Sequence, residues 1–121
     1  MRLLALISLL LSFSAGAHHS TVANFTQEII TIEGVIEQVR YKNPHASVLM
    51  KNTAEDGKET YWLIEMDART TLQRRGVTLE RLSVGSRIVA SGRKGKREYT
   101  MYLREIIFED GSKFTSSGLE E

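Results

Sequence analysis

The chain contains no cysteine, a single proline and a single tryptophan in 121 residues. Without thiols there is no disulfide, no thiolate ligand for a metal and no cysteine nucleophile, so packing alone must hold the fold. No low-complexity linker and no internal repeat interrupts the chain, which points to one small domain. A membrane-spanning run is missing as well: the apolar stretch Leu3 to Phe13 has about half of the ~20 residues that a helical span needs.

That stretch has another reading. Arg2 gives a basic start, Leu3 to Phe13 is apolar all round apart from Ser8 and Ser12, and Ala15-Gly16-Ala17 is a small-residue exit. These are the three parts of a secretory signal peptide. Residues 1–17 are therefore expected to be removed after Ala17, leaving a periplasmic or secreted chain of 104 of the 121 residues. Arg2 leaves with the signal, so 15 basic side chains face 15 acidic ones. A formal charge of zero gives no general attraction to nucleic acid or to an anionic membrane.

In the body of the chain, residues 18–27 read as an extended arm and 28–115 as the domain. Glu28 to Tyr41 is rich in isoleucine and valine and predicts a long strand, with Gly34 breaking its alternation as a bulge or bend would. Asn43-Pro44 marks a turn, His45 to Asn52 a second strand, Asp56-Gly57 a hairpin turn and Glu59 to Met66 a third strand. Asp67 is placed to cap a short helix over Ala68 to Arg75, with Gly76 ending it. Thr78 to Leu82 suggests one more helical turn, Arg87 to Gly92 a fourth strand and Tyr99 to Phe108 a fifth. Residues 116–121 read as a flexible tail. Three strands, a helix and two strands, with a long bent first strand, is the order of an OB-fold, so the expected class is all-β with one short helix, a five-stranded barrel. An open α+β sheet with the helix on one side is the rival.

Several short motifs then stand out together. The expected mature chain starts His18-His19-Ser20, and strand one runs into Tyr41-Lys42-Asn43-Pro44-His45-Ala46. Trp62-Leu63-Ile64-Glu65 lies in strand three, Leu72 to Gly76 spells L-x-R-R-G, and Val84 to Val89 turns into strand four. In this combination the chain resembles a family of small exported bacterial proteins classed as a domain of unknown function. Two positions depart from the family pattern, which often has tryptophan at Tyr41 and a pair of leucines at Leu72-Gln73. The resemblance implies export and the same fold, and it brings no activity with it.

All three histidines fall where that resemblance is best. A mature amino-terminal His18 would offer its α-amine and Nδ1 to one ion as a chelate, which an internal histidine cannot do. One more imidazole completes three nitrogens in a T, the histidine-brace arrangement of copper proteins. Nitrogen donors without thiolates suit Cu(II) first, then Ni(II) or Zn(II). The candidate metal ligands are thus His18, His19 and His45, with copper the expected ion, His18 and His45 the better pair, and His19 contributing through its own backbone amide. Strand parity puts His45 on the face opposite Val48 and Met50, and Glu65 on the outer face of strand three as a fourth ligand or an orienting partner. The plainer reading is a solvated terminal pair, with His45 hydrogen-bonded in a turn.

Other patterns carry less. Met50, Trp62, Met66 and Met101 could hold Cu(I) alongside His45, but methionine and tryptophan at strand spacing more often pack a core. Arg93-Lys94-Gly95-Lys96-Arg97 is a basic hairpin suited to an anionic surface, or to single-stranded nucleic acid in an OB-fold, against which stand the export signal and the neutral charge. No nucleophile or acid pair has a telling context. The sequence therefore predicts an exported, non-catalytic binding protein, either for copper or as a metal-free adaptor or ligand-binding module meeting an envelope partner.

Overall fold

The first strand organises everything that follows. In a computed structural model, which describes residues 23–115 and 118–121, β1 runs for 16 residues from Phe25 to Arg40. Its first half pairs with β4 (Arg87–Gly95) and its second half with β2 (Ser47–Thr53), both antiparallel. Val35 belongs to both ladders, opposite Lys51 on one side and Arg87 on the other. The strand changes partner at Gly34, where a Cβ would lie 2.8 Å from Met50 Cγ and closer still to the Lys51 carbonyl oxygen. Close approach of backbones therefore explains this glycine. The bulge itself lies further on, between Ile36 and Gln38.

The ring then closes. β2 pairs with β3 (Glu59–Glu65), β4 with β5 (Thr100–Phe108), and β3 meets β5 in a short parallel contact from Leu63–Thr100 to Glu65–Tyr102. The circuit β1-β2-β3-β5-β4 is the strand order of an OB-fold. Alternate residues point inward, so Ile36, Val48, Met50, Ile64, Ile88 and Met101 are all essentially without solvent contact. Each such side chain contributes about 1.5–3 kcal/mol relative to exposure.

Between β3 and β4 sits the helix α1 (Arg69–Arg74), which lays Leu72 into the core, followed by a 3₁₀ turn over Glu80–Leu82. Its end is as expected: Gly76 has φ +91°, and Val77 N and Gly76 N donate to the carbonyls of Leu72 and Gln73, the paired bonds of a Schellman motif. Its start differs from the expectation. The helix is preceded by Ala68 with no side-chain cap, because the Asp67 carboxylate is engaged elsewhere. The turn of Lys42 and Asn43 serves instead, the Lys42 carbonyl accepting from Arg69 N at 3.1 Å and Asn43 Oδ1 from Thr70 N at 3.3 Å.

Three further boundaries differ. The domain begins at Phe25, which is buried at the start of β1, so the expected arm over 18–27 ends sooner. β4 continues to Gly95 and takes up Arg93, Lys94 and Gly95 of the expected basic hairpin. Residues 116–121 were expected to form a flexible tail, yet Gly118–Glu120 forms β7 against β6 (Lys113–Thr115). Leu119 N donates to the Arg75 carbonyl at 3.0 Å, and Glu121 pairs with Arg81 at 2.5 Å. Three residues carry no periodicity to read, so long-range partners decide this segment.

Candidate ligand-binding face

The β1–β2 connection, Tyr41 to Ala46, is tied down from several sides. Tyr41 Oη donates to the Val77 carbonyl at 2.6 Å, and the Asn43–Pro44 peptide is cis. Ala46 N donates to the Asp67 carbonyl at 3.1 Å and Met66 N to the Ala46 carbonyl at 2.9 Å, prolonging the β2–β3 ladder. Between these anchors stands His45, half-buried, with Nδ1 3.2 Å from the Met66 carbonyl oxygen. A carbonyl oxygen only accepts, so this bond places a proton on Nδ1 and leaves Nε2 as the ring nitrogen that can offer a lone pair to a ligand.

His45 lines a groove of about 420 Å³ on the outer surface of β1, β2 and β3, together with Arg40, Lys42, Leu49, Leu63 and Glu65. The register makes this face: Leu49 stands opposite Leu63 and Ser47 opposite Glu65. Glu65, expected on the outer face of strand three, thus shares the groove with His45. Strands two and three and the first loop are where OB-folds commonly bind ligands.

His18 and His19 lie outside the described residues, as does the expected signal segment. Among the described residues no group of three or more His, Asp and Glu side chains could hold a metal ion. The methionine and tryptophan set is placed in the packing: Met50, Met66 and Met101 are buried in the core, while Trp62 packs against it with its ring 5.5 Å from that of Tyr99.

Sequence reasoning missed a cluster around Tyr102 on β5. Tyr102 Oη donates to Asp67 Oδ1 at 2.8 Å, and Arg75 Nη1 donates to Asp67 Oδ2 at 3.2 Å. The Arg93 guanidinium sits over the Tyr102 ring at 5.5 Å, Phe25 meets that ring edge-on at 5.4 Å, and the His45 ring lies 6.3 Å away. Burial first, then the hydrogen bond to Asp67, pushes the Tyr102 hydroxyl well above the usual tyrosine range. Asp67, Arg75 and Tyr102 each have an ordinary local explanation in sequence, as cap, dipole partner and strand aromatic, and no spacing rule links them.

Tyr102→Phe is expected to cost about 1 kcal/mol, the typical net worth of one hydrogen bond plus an exposed-side loss at Asp67. Because the folded Tyr102 pKa is raised, its contribution is fully present below the unfolded value of about 10 and is lost as pH rises beyond it. Urea midpoints of the two proteins should therefore converge above about pH 10. A gap that stays constant up to high pH would contradict this.

Comparison with known proteins decides the family. Residues 5–102 match the model of the family of unknown function DUF6152, a span that takes in both His18-His19 and Tyr41 to Ala46. The chain belongs to this family. Two solved structures share the fold of this DUF6152 member. One is the dimeric N-terminal domain of PriB protein from Thermoanaerobacter tencongensis, at 14% identity and a TM-score of 0.50, covering 67% of this chain and 94% of that one. The other is the mitochondrial single-stranded DNA-binding protein Rim1 from S. cerevisiae, at 11% identity and a TM-score of 0.53, covering 70% and 94%. At such identities the likeness concerns the fold alone. No curated protein matches the chain.

Proposed function

We propose that this DUF6152 member is an exported, non-catalytic binding protein of the bacterial envelope that takes a transition-metal ion, Cu(II) first, at His45. The observation that carries the reading is the bond from His45 Nδ1 to the Met66 carbonyl. It fixes the tautomer and orients the ring, which is how metal-ligating histidines are commonly held, with the other ring nitrogen left as the ligand. Glu65 offers an oxygen donor in the same groove. The α-amine and imidazole of a mature His18 would complete a brace, with His19 joining through its backbone amide. Export rests on Arg2, the apolar run to Phe13 and Ala15 to Ala17. Among the described residues no helix is long and apolar enough to cross a membrane.

Nucleic acid is not the proposed ligand, although one structural neighbour is named for binding single-stranded DNA. Single strands are held by bases stacked on aromatic rings in a basic channel. Here the exposed aromatics Tyr61 and Tyr99 are absent from the lining of the groove, and the mature formal charge is zero. A metal-free module using the same face is the second reading, favoured by Arg40 and Lys42, whose charges in the groove oppose a cation.

The test is a Cu(II) titration followed by EPR on protein that begins at His18, beside a form with one extra residue ahead of it. Tight binding is expected only with the free terminus. His45→Ala should weaken it at least as much as the ~10–100-fold typical of losing a ligand's supporting partner. Equal binding by both forms sinks the brace, and binding by neither turns the assignment to the metal-free module.

A further inference from the structure

A second groove lies beyond Tyr102 from His45. It also spans about 420 Å³ and brings together Gln27, Asp67, Arg75, Arg93, Tyr102 and Arg104. We propose that this groove binds a phosphate ester on a small polar body, held by the guanidinium groups of Arg93 and Arg104. The proposal does not rest on metal at His45, because no residue that it uses is a ligand there.

The charge balance is the first support. Three arginines and one carboxylate line the groove, and that carboxylate is already taken, accepting from both Arg75 and Tyr102. The Arg93 guanidinium lies over the Tyr102 ring and Arg104 is exposed, and among the described residues neither forms an ion pair with a carboxylate. Two forked cations therefore face the groove without an anion, which suits bidentate binding of phosphate oxygens. The cation–π contact with Tyr102 matters too: it holds the Arg93 head group at the groove without engaging a carboxylate.

The backbone is the second, independent support. Gln27 and Arg104 both sit at irregularities in neighbouring ladders. Between Phe25–Gly95 and Ile29–Arg93, β1 advances four residues against two on β4, so Gln27 lies in the surplus. Between Ser91–Glu105 and Gly92–Leu103, β5 advances two residues against one, and the extra one is Arg104. A bulge re-aims a side chain that regular pairing would send elsewhere. Two bulges bring a polar and a cationic side chain to one groove floored by Leu103 and Phe114. The volume exceeds what a bare oxyanion fills and falls in the ~300–1,000 Å³ range of small-molecule sites.

Calorimetry with glycerol 3-phosphate, and flotation with phosphatidylglycerol vesicles, test this on the chain from His18 onward. Saturable binding of the soluble ester identifies a free phosphate ester as the ligand, and retention on vesicles alone identifies the lipid headgroup. In either arm Arg104→Gln and Arg93→Gln should each weaken binding about tenfold, the scale of one charge-assisted contact. Arg74→Gln, an exposed arginine in the last turn of α1, should leave it unchanged. Arg104 is exposed, so its replacement leaves folding intact, and circular dichroism checks this. Absence of binding in both arms overturns the proposal. So does a loss with Arg74→Gln as large as with Arg104→Gln, since general surface charge would then be the cause.

Discussion

Replacing Gly92 by alanine is expected to lower stability by about 3 kcal/mol, the upper end for forcing atoms into a packed interior. Gly92 stands opposite Leu103 where β5 bulges. A Cβ there would lie 2.8 Å from the Tyr102 carbonyl carbon and 2.9 Å from Met101 Cγ, and closer still to the Tyr102 carbonyl oxygen. Met101 could yield, but the carbonyl is backbone held between ladder pairs on both sides. Relief would require breaking β4–β5 bonds around Arg93 and Ser91. The contrast is Gly57, where nothing lies within 4 Å and φ is +85°. Alanine at Gly57 meets only the left-handed conformational penalty of about 1–2 kcal/mol. Urea midpoints of the two variants at equal m-value separate the mechanisms. A loss at Gly92 no larger than that at Gly57 would mean that the two strands are not packed as described. For a domain of this size, total stability is of order 5–15 kcal/mol, so the Gly92 variant is expected to lose a large share of it.

Ile36→Ala should be as severe, at about 3–5 kcal/mol, and for the opposite reason. Ile36 is completely buried, faces Met50 across the β1–β2 ladder and packs in the main core cluster. Its backbone is fixed by bonds to Ser86 and Gly85 at 2.9 and 2.8 Å. The strands on either side are closed into a ring, so the surroundings have little freedom to collapse into the space. Ile36→Val removes one methylene and should cost only about 0.5–1.5 kcal/mol. Thermal or urea unfolding of both gives the ratio. If alanine cost no more than valine, the interior would be fluid rather than packed.

The same alternation that buries Ile36 made the barrel legible in sequence. Val48 and Met50, then Ile64 and Met66, announce their inward face at a spacing of two, and the turn glycines Gly57, Gly76 and Gly111 fall where positive φ is needed. What could not be read is whatever depends on partners distant in the chain. Asp67 has the form of a helix cap, and only the folded ring brings Tyr102 and Arg75 to its carboxylate. The strand at Gly118–Glu120 is too short to show a period and exists because Lys113–Thr115 and Arg75 await it. His45 was legible as an outward-facing residue beside a turn. Its tautomer depends on the Met66 carbonyl, 21 residues away, and no local rule supplies that.

The closing contact of the ring carries one more consequence. β3 and β5 share three paired positions, against eight for β1 with β4 and seven for β2 with β3. It is also the parallel pairing of the circuit, and parallel bonds are slightly weaker per residue. The barrel therefore has a seam, and the ring is expected to part first along Leu63 to Glu65. The two grooves stand on opposite banks, with His45 and Glu65 on one side and Arg93 and Arg104 on the other, and the Tyr102 ring between them. Anything bound across both banks would act as a clasp on the seam, tightening the cylinder without touching its core.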